Sequence, residues 1–234
     1  NIIVGGGTDL MVQKPDKIFE SDLNLMFDRK DLKTIKVAYN SCIIGSACTA
    51  TDIMNSQLIN DIIPEIKDYF KLISSEPIRN MGTIAGNIMN ASPIADLSIF
   101  FLALNANIHL NDGKNKRVFP LKDFFLGYKK LNINPNEFIE SISFEISKNE
   151  YKINFEKVSK RTHLDIASVN TAICLRMNGG IIEKAGLSAG GVGPVPLFLS
   201  GCSHFLAGKK PSWELVLELV ELAQHEISPI SDTR

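Results

Sequence analysis

Apolar residues open the chain at Ile2-Ile3-Val4 and run straight into Gly5-Gly6-Gly7-Thr8-Asp9-Leu10. That pattern predicts a strand and then a loop bent more tightly than side chains allow. A second short apolar run, Cys42 to Gly45, predicts another strand. Ile66, Tyr69, Phe70 and Ile73 recur at i, i+3, i+4 and i+7, one apolar helix face, which should end near Pro77. From Glu76 to Ser92 the chain is rich in Asn, Gly, Ser and Thr and reads as a polar loop. Pro93 then opens a second helix, with Ile94, Leu97, Phe101 and Leu104 sharing a face.

Farther along, Asn107 to Leu110 and Arg117 to Phe119 flank Asn111-Asp112-Gly113, a hairpin signal because Asp-Gly tolerates the positive φ such turns need. Ile142, Phe144 and Ile146 alternate with polar residues, as in a half-buried strand. The character changes after Lys148-Asn149-Glu150, where a domain boundary is expected. Phe155 to Val158, Ser168 to Met177 and Ile181 to Ser188 read as successive strands, the last pair turned by Asn178-Gly179-Gly180. Trp213, Val216, Leu217 and Val220 mark a closing helix with Ser212 as its N-cap.

The 234 residues, 44% hydrophobic and 22% charged, suffice for one large or two small domains. A net charge of -1 leaves no basic surplus for a phosphate backbone or an anionic membrane surface. The longest apolar stretches, such as Leu97 to Leu104, fall short of the roughly 20 residues of a membrane span. With no charged-then-apolar leader, the cytoplasm is the expected location. The chain has no initial Met and opens inside an apolar run, so an N-terminal segment is expected to precede it. Cys42, Cys48, Cys174 and Cys202 lack the spacing of a zinc site or an iron–sulfur cluster, and the four histidines lack metal-ligand spacing. No metal site is expected.

Two stretches carry candidate chemistry. Gly5 to Thr8 leaves backbone N–H groups bare after a strand, which suits either a pyrophosphate or a plain tight turn; it is neither a Rossmann motif nor a P-loop. Arg79 to Asn87 repeats the idea with small residues, plus Thr83 and Asn87 as hydrogen-bonding side chains, and reads equally as a structural loop.

Together the two stretches resemble the FAD-binding subunits of the molybdenum hydroxylases, a family that includes xanthine dehydrogenases, aldehyde oxidases and carbon monoxide dehydrogenases. The resemblance runs through Gly5-Gly6-Gly7-Thr8-Asp9-Leu10 and then Pro77-Ile78-Arg79-Asn80, Thr83, Gly86-Asn87, Ala91-Ser92-Pro93 and Asp96. It continues through Lys157, Lys160-Arg161, Asp165-Ile166-Ala167 and Gly190-Gly191-Val192. Gly5 and Ala85 depart from the family pattern, where Ala and Gly are usual.

The resemblance implies an α+β fold: a two-subdomain FAD-binding unit of the PCMH type over 1–150, then a C-terminal domain over 151–234 with a three-stranded antiparallel sheet and helices. Family members extend beyond both ends of this sequence. The implied cofactor is FAD. Ile3, Val4, Gly5, Gly6, Gly7, Thr8, Asp9 and Leu10 would wrap its pyrophosphate. Ile73 and Ser74 would lie beside the flavin, and Thr83, Gly86 and Asn87 would form the second loop. Asp96 would accept hydrogen bonds from the ribose or adenine side, with a simple helix-dipole partner as its alternative. Ile133 would pack near the isoalloxazine. Lys157 would sit where a cation favours the reduced flavin, unless it is a solvated surface lysine. Arg79 could be a structural fork on carbonyls. No side chain of the chain itself is expected to act catalytically on an organic substrate.

The implied function is electron transfer in a xanthine dehydrogenase-like enzyme. Electrons would pass from 2Fe-2S clusters on a small subunit, served by a molybdopterin-binding large subunit, through FAD to NAD or another acceptor. Alternatives are the flavin subunit of an aldehyde or carbon monoxide dehydrogenase, or a non-redox nucleotide-binding regulatory protein.

Overall fold

The computed structural model describes residues 2–146, 150–161 and 163–229. Two antiparallel sheets and one buried helix between them organise the molecule. The first sheet has the order Ile35–Ala38, Ser41–Gly45, Phe138–Glu145, Asn107–Asn111, Lys116–Pro120. Its inward positions are apolar: Cys42 faces Phe144, and Ile142 pairs with both Ile44 and Ile108. At the hairpin tip, Asp112 Oδ1 accepts from the backbone N–H groups of Lys114 (2.8 Å) and Asn115 (2.6 Å), and Gly113 takes φ +89°.

The second sheet has the order Glu150–Val158, Val169–Asn178, Ile181–Gly190, Leu197–Phe198. Three long strands match the expected sheet, and a two-residue edge strand is added to it. Lys148 and Asn149, on which the expected break rests, lie outside the described residues. The Trp213–Glu226 helix is capped as expected, with Ser212 Oγ accepting from Leu215 N at 3.1 Å.

The helix expected after Pro93 begins at Asp96 and runs to Ala103, and all eight of its residues are buried. A one-sided face is therefore the wrong description: the helix is sandwiched. Phe101 packs on Phe144 of the first sheet, and Phe100 on Phe155 of the second, at centroid distances of 6.2 and 6.1 Å. Aromatic pairs in this range add to the area they bury.

The largest correction concerns residues 76–92. What reads as a polar loop contains two helices, Glu76–Met81 and Ile84–Asn90. Pro77 occupies the first turn of the former, where its missing N–H costs nothing, so it starts that helix rather than ending the Ile66–Lys71 one.

Candidate functional site

The Ile2–Val4 strand pairs in parallel with Leu23–Leu25 and delivers the chain into the glycine loop. A Cβ on Gly6 would lie 1.6 Å from the Met81 carbonyl oxygen, and one on Gly5 would lie 2.5 Å from Thr83 Oγ1. Both glycines are thus required by contact between the two loops. Gly7 takes φ +70° and its carbonyl accepts from Met11 N at 3.0 Å, turning Thr8 and Asp9 into the Leu10–Gln13 helix.

Facing this loop, buried Thr83 caps the Ile84–Asn90 helix by accepting from Gly86 N at 3.1 Å. The turn before it is pinned by Ala50 N to Gly82 O (3.1 Å) and Ile84 N to Cys48 O (2.9 Å). Ile3, Gly5, Ala47, Thr83, Ala85 and Gly86 line a cavity of about 130 Å³ between the loops. Glu137 closes its wall, gripped by Arg117 through both oxygens at 2.6 and 2.7 Å. Asn87 stands behind: its Oδ1 accepts from the N–H and the hydroxyl of Ser98, both at 3.1 Å, and so ties two helices together.

A second cavity, of about 350 Å³, is lined by Ser74, Ile78, Ile94, Asp96, Lys157 and Ile166 among others. Ser74 takes φ +49° there. Arg79 Nη1 donates to the carbonyls of Ile73 and Ser74, both at 2.8 Å, so Arg79 is the structural fork. Lys157 is 4% exposed and not a solvated lysine; its Nζ donates to Leu72 O at 3.0 Å and to Asp96 Oδ2 at 2.8 Å. Burial pushes the Asp96 carboxyl up, while the Lys157 ammonium and the Asn170 amide pull it back. The Glu76–Met81 helix joins the two cavities: Ile78 lines the larger, and Met81 supports the glycine loop that lines the smaller.

Ile3, Gly5, Thr83 and Gly86 therefore meet in one cavity, and Ser74 and Lys157 in the other, with Val4, Gly6, Gly7, Thr8, Asp9 and Leu10 shaping the first from behind. Ile73, next to Ser74 in the chain, is buried in the main core. The remaining two sit as follows. Asp96, assigned to the ribose or adenine side, is grouped with Ser74 and Lys157, because the first residue of its helix points onto the second sheet. Ile133, assigned to the isoalloxazine, packs against the main core and lines neither cavity. Sequence reasoning passed over Asn170, whose signal is a polar residue at the same inward parity as Ala172 and Cys174. Burial pushes all four cysteine thiols up to about 12, which leaves them inert near neutral pH. Among the described residues no group of three or more His, Cys, Asp or Glu side chains could hold a metal ion, and no helix is long and apolar enough to cross a membrane.

Interlocked glycine loops beside one cavity and a buried ion pair in the next define a dinucleotide-cofactor carrier of α+β architecture. The chain belongs to the family described as the FAD binding domain in molybdopterin dehydrogenase, matched over residues 2–144, and residues 155–234 match the CO dehydrogenase flavoprotein C-terminal domain. Its cofactor is FAD. It is 29% identical over 232 residues to the glyceraldehyde dehydrogenase medium chain of Sulfolobus acidocaldarius, covering 99% of this chain and 82% of the relative. It is 30% identical over 213 residues to a xanthine dehydrogenase of Oryza sativa, covering 84% of this chain and 15% of that one. The fold superimposes on reconstituted CO dehydrogenase from Oligotropha carboxidovorans with a TM-score of 0.90 at 25% identity, over 99% of this chain and 81% of that one. The chain fits FAD in its own details: the walls of the smaller cavity are kept small by Gly5, Ala47, Ala85 and Gly86, and the larger presents the buried Lys157–Asp96 pair.

Proposed function

We propose that the chain is the electron-transfer subunit of a molybdenum hydroxylase, with the FAD pyrophosphate against the glycine loop and the flavin ring in the cavity of Ser74, Asp96 and Lys157. The observation that carries this reading is the Lys157–Asp96 pair, 4% and 10% exposed, in the wall of that cavity. A buried lysine held by a carboxylate and a carbonyl is one end of an ion pair whose dipole is fixed in a low-dielectric wall, where it acts more strongly than in water. When bound, the flavin supplies hydride and single-electron chemistry. The chain orients it through the Gly5–Thr8 loop and Thr83, shields it with Ile78 and Ile166, and sets the local charge with Lys157 and Asp96.

Iron–sulfur and molybdopterin centres belong to partner chains in this reading: a 2Fe-2S small subunit and a molybdopterin-binding large subunit. Electrons pass from the small subunit through FAD to NAD. The substrate is set by the large subunit. The resemblance of Ala91-Ser92-Pro93-Ile94-Ala95-Asp96 to xanthine dehydrogenase-type members supports a xanthine-type partner. An aldehyde-oxidising partner is favoured by the match to a glyceraldehyde dehydrogenase medium chain along 99% of this chain. The test is a stopped-flow trace of the purified yellow protein. NADH should bleach the flavin band at a catalytically useful rate, with no hydroxylation of xanthine or an aldehyde by this chain alone. No bleaching by NADH, with fast reoxidation by oxygen or a quinone, overturns NAD; absence of flavin favours a regulatory protein. Co-purifying chains would distinguish xanthine from aldehyde.

A further inference from the structure

One rung of the second sheet carries Lys157, Asn170 and Gly190 as register partners across three strands. Lys157 and Asn170 both project onto Asp96, and each takes one oxygen of its carboxylate: Lys157 Nζ donates to Oδ2 at 2.8 Å and Asn170 Nδ2 to Oδ1 at 2.6 Å. The same amide nitrogen donates to the Ile94 carbonyl at 3.1 Å. Both partners only accept, so the amide orientation is determined, nitrogen toward them and oxygen away. That leaves Asn170 Oδ1 buried with no hydrogen-bond partner, pressed on Gly190, where a Cβ would come within 2.1 Å of it. An orphaned buried carbonyl is unfavourable. A leucine would fill the space without it, so what the asparagine contributes is its donors.

We propose that Asn170 is a positioning residue for the Asp96–Lys157 pair: it holds the Asp96 carboxylate anionic and aligned on Lys157, with Gly190 giving the amide its room. The inference rests on the flavin ring occupying this cavity. Without the amide, Asp96 keeps one charge-compensating contact instead of two and takes up a proton more readily. A protonated Asp96 no longer balances Lys157, so the net charge beside the ring becomes more positive. The other charged group lining the cavity is Asp165, whose Oδ2 accepts from Arg161 N at 3.0 Å and whose side chain pairs with the Arg161 guanidinium at 3.7 Å.

The experiment compares the full chain carrying FAD with its Asn170→Leu and Asn170→Asp variants. One readout is the carboxyl titration of Asp96 by 13C NMR, assigned with Asp96→Asn; the other is the flavin midpoint potential across pH. Asn170→Leu should move the Asp96 titration up by about one pH unit, a tenfold change in proton affinity, and raise the flavin potential. Asn170→Asp keeps the shape but sets two carboxyls against each other, so the pair should retain an extra proton and titrate higher than Asp96 does in the parent. If the Asp96 titration stays in place, the positioning role is overturned. If it moves and the flavin potential does not, the positioning role stands and the placement of the flavin ring fails. Should Asn170→Leu not fold, Asn170→Ala is read by the same criterion, because it removes the amide without adding a second carboxyl.

Discussion

At Gly6 the protein itself supplies a reason for glycine. The natural argument for a glycine beside a phosphate is that a side chain would block the ligand. Here a side chain would meet the protein first, since the Met81 carbonyl stands 1.6 Å from where a Cβ would be. Gly6→Ala should therefore part the two loops, with a stability loss of about 1–3 kcal/mol as for other overpacked sites and loss of bound FAD. Urea unfolding together with the flavin absorbance ratio checks both; a variant that keeps stoichiometric FAD and parental stability would contradict the interlock. Lys157 and Asp96 were legible only through the family resemblance, because neither spacing nor periodicity marks a lysine in one strand as the partner of an aspartate 61 residues earlier. Asn170 lay beyond even that: its role depends on a register pairing that a sequence does not display.

Elements with strong local rules were legible, and elements defined by contact were not. The 107–120 hairpin, the Asn178-Gly179-Gly180 turn and the Trp213–Glu226 helix follow from turn chemistry, alternation and a cap. Glu76–Met81 and Ile84–Asn90 did not, because helices of six and seven residues are too short to show a period, and Gly82 between them reads as loop. Their stability comes from Thr83, Arg79 and the neighbouring helices. The Lys116–Pro120 strand and the 132–137 segment are joined similarly, by the Arg117–Glu137 pair. The Arg117 guanidinium holds the Glu137 carboxyl below its usual range, helped by the backbone N–H of Asn134. A depressed carboxyl releases its proton more easily in the folded state, so this stabilisation is full above the ordinary carboxylate pKa and fades as pH falls through the folded value. Arg117→Met should thus be less stable than the parent at neutral pH, with the difference shrinking on acidification. Urea unfolding at a series of pH values measures it, and a constant difference would rule the pair out as the cause.

At the scale of the molecule, the two stretches that match separate family profiles share one core. Phe100 touches Phe70, Phe101 and Phe155, and the cluster that includes Ile44 and Ile142 of the first sheet also includes Ala172 and Cys174 of the second. Phe155→Ala should cost about 3–5 kcal/mol and lower the stability of both sheets together. Circular dichroism and flavin release should trace one coincident transition in urea; two separate transitions would show that the halves unfold independently. The Lys157–Asn170–Gly190 rung has a further consequence for how such a chain can diverge. Side chains alternate along a strand, so inserting or deleting one residue in Glu150–Val158 ahead of Lys157 would turn that lysine to the opposite face and bring an aliphatic or acidic neighbour against Asp96. Point substitutions on the exposed parity of the same strand leave the pairing untouched. Lineages descended from this chain can therefore recolour the strand freely, yet its length before Lys157 is locked to steps of two.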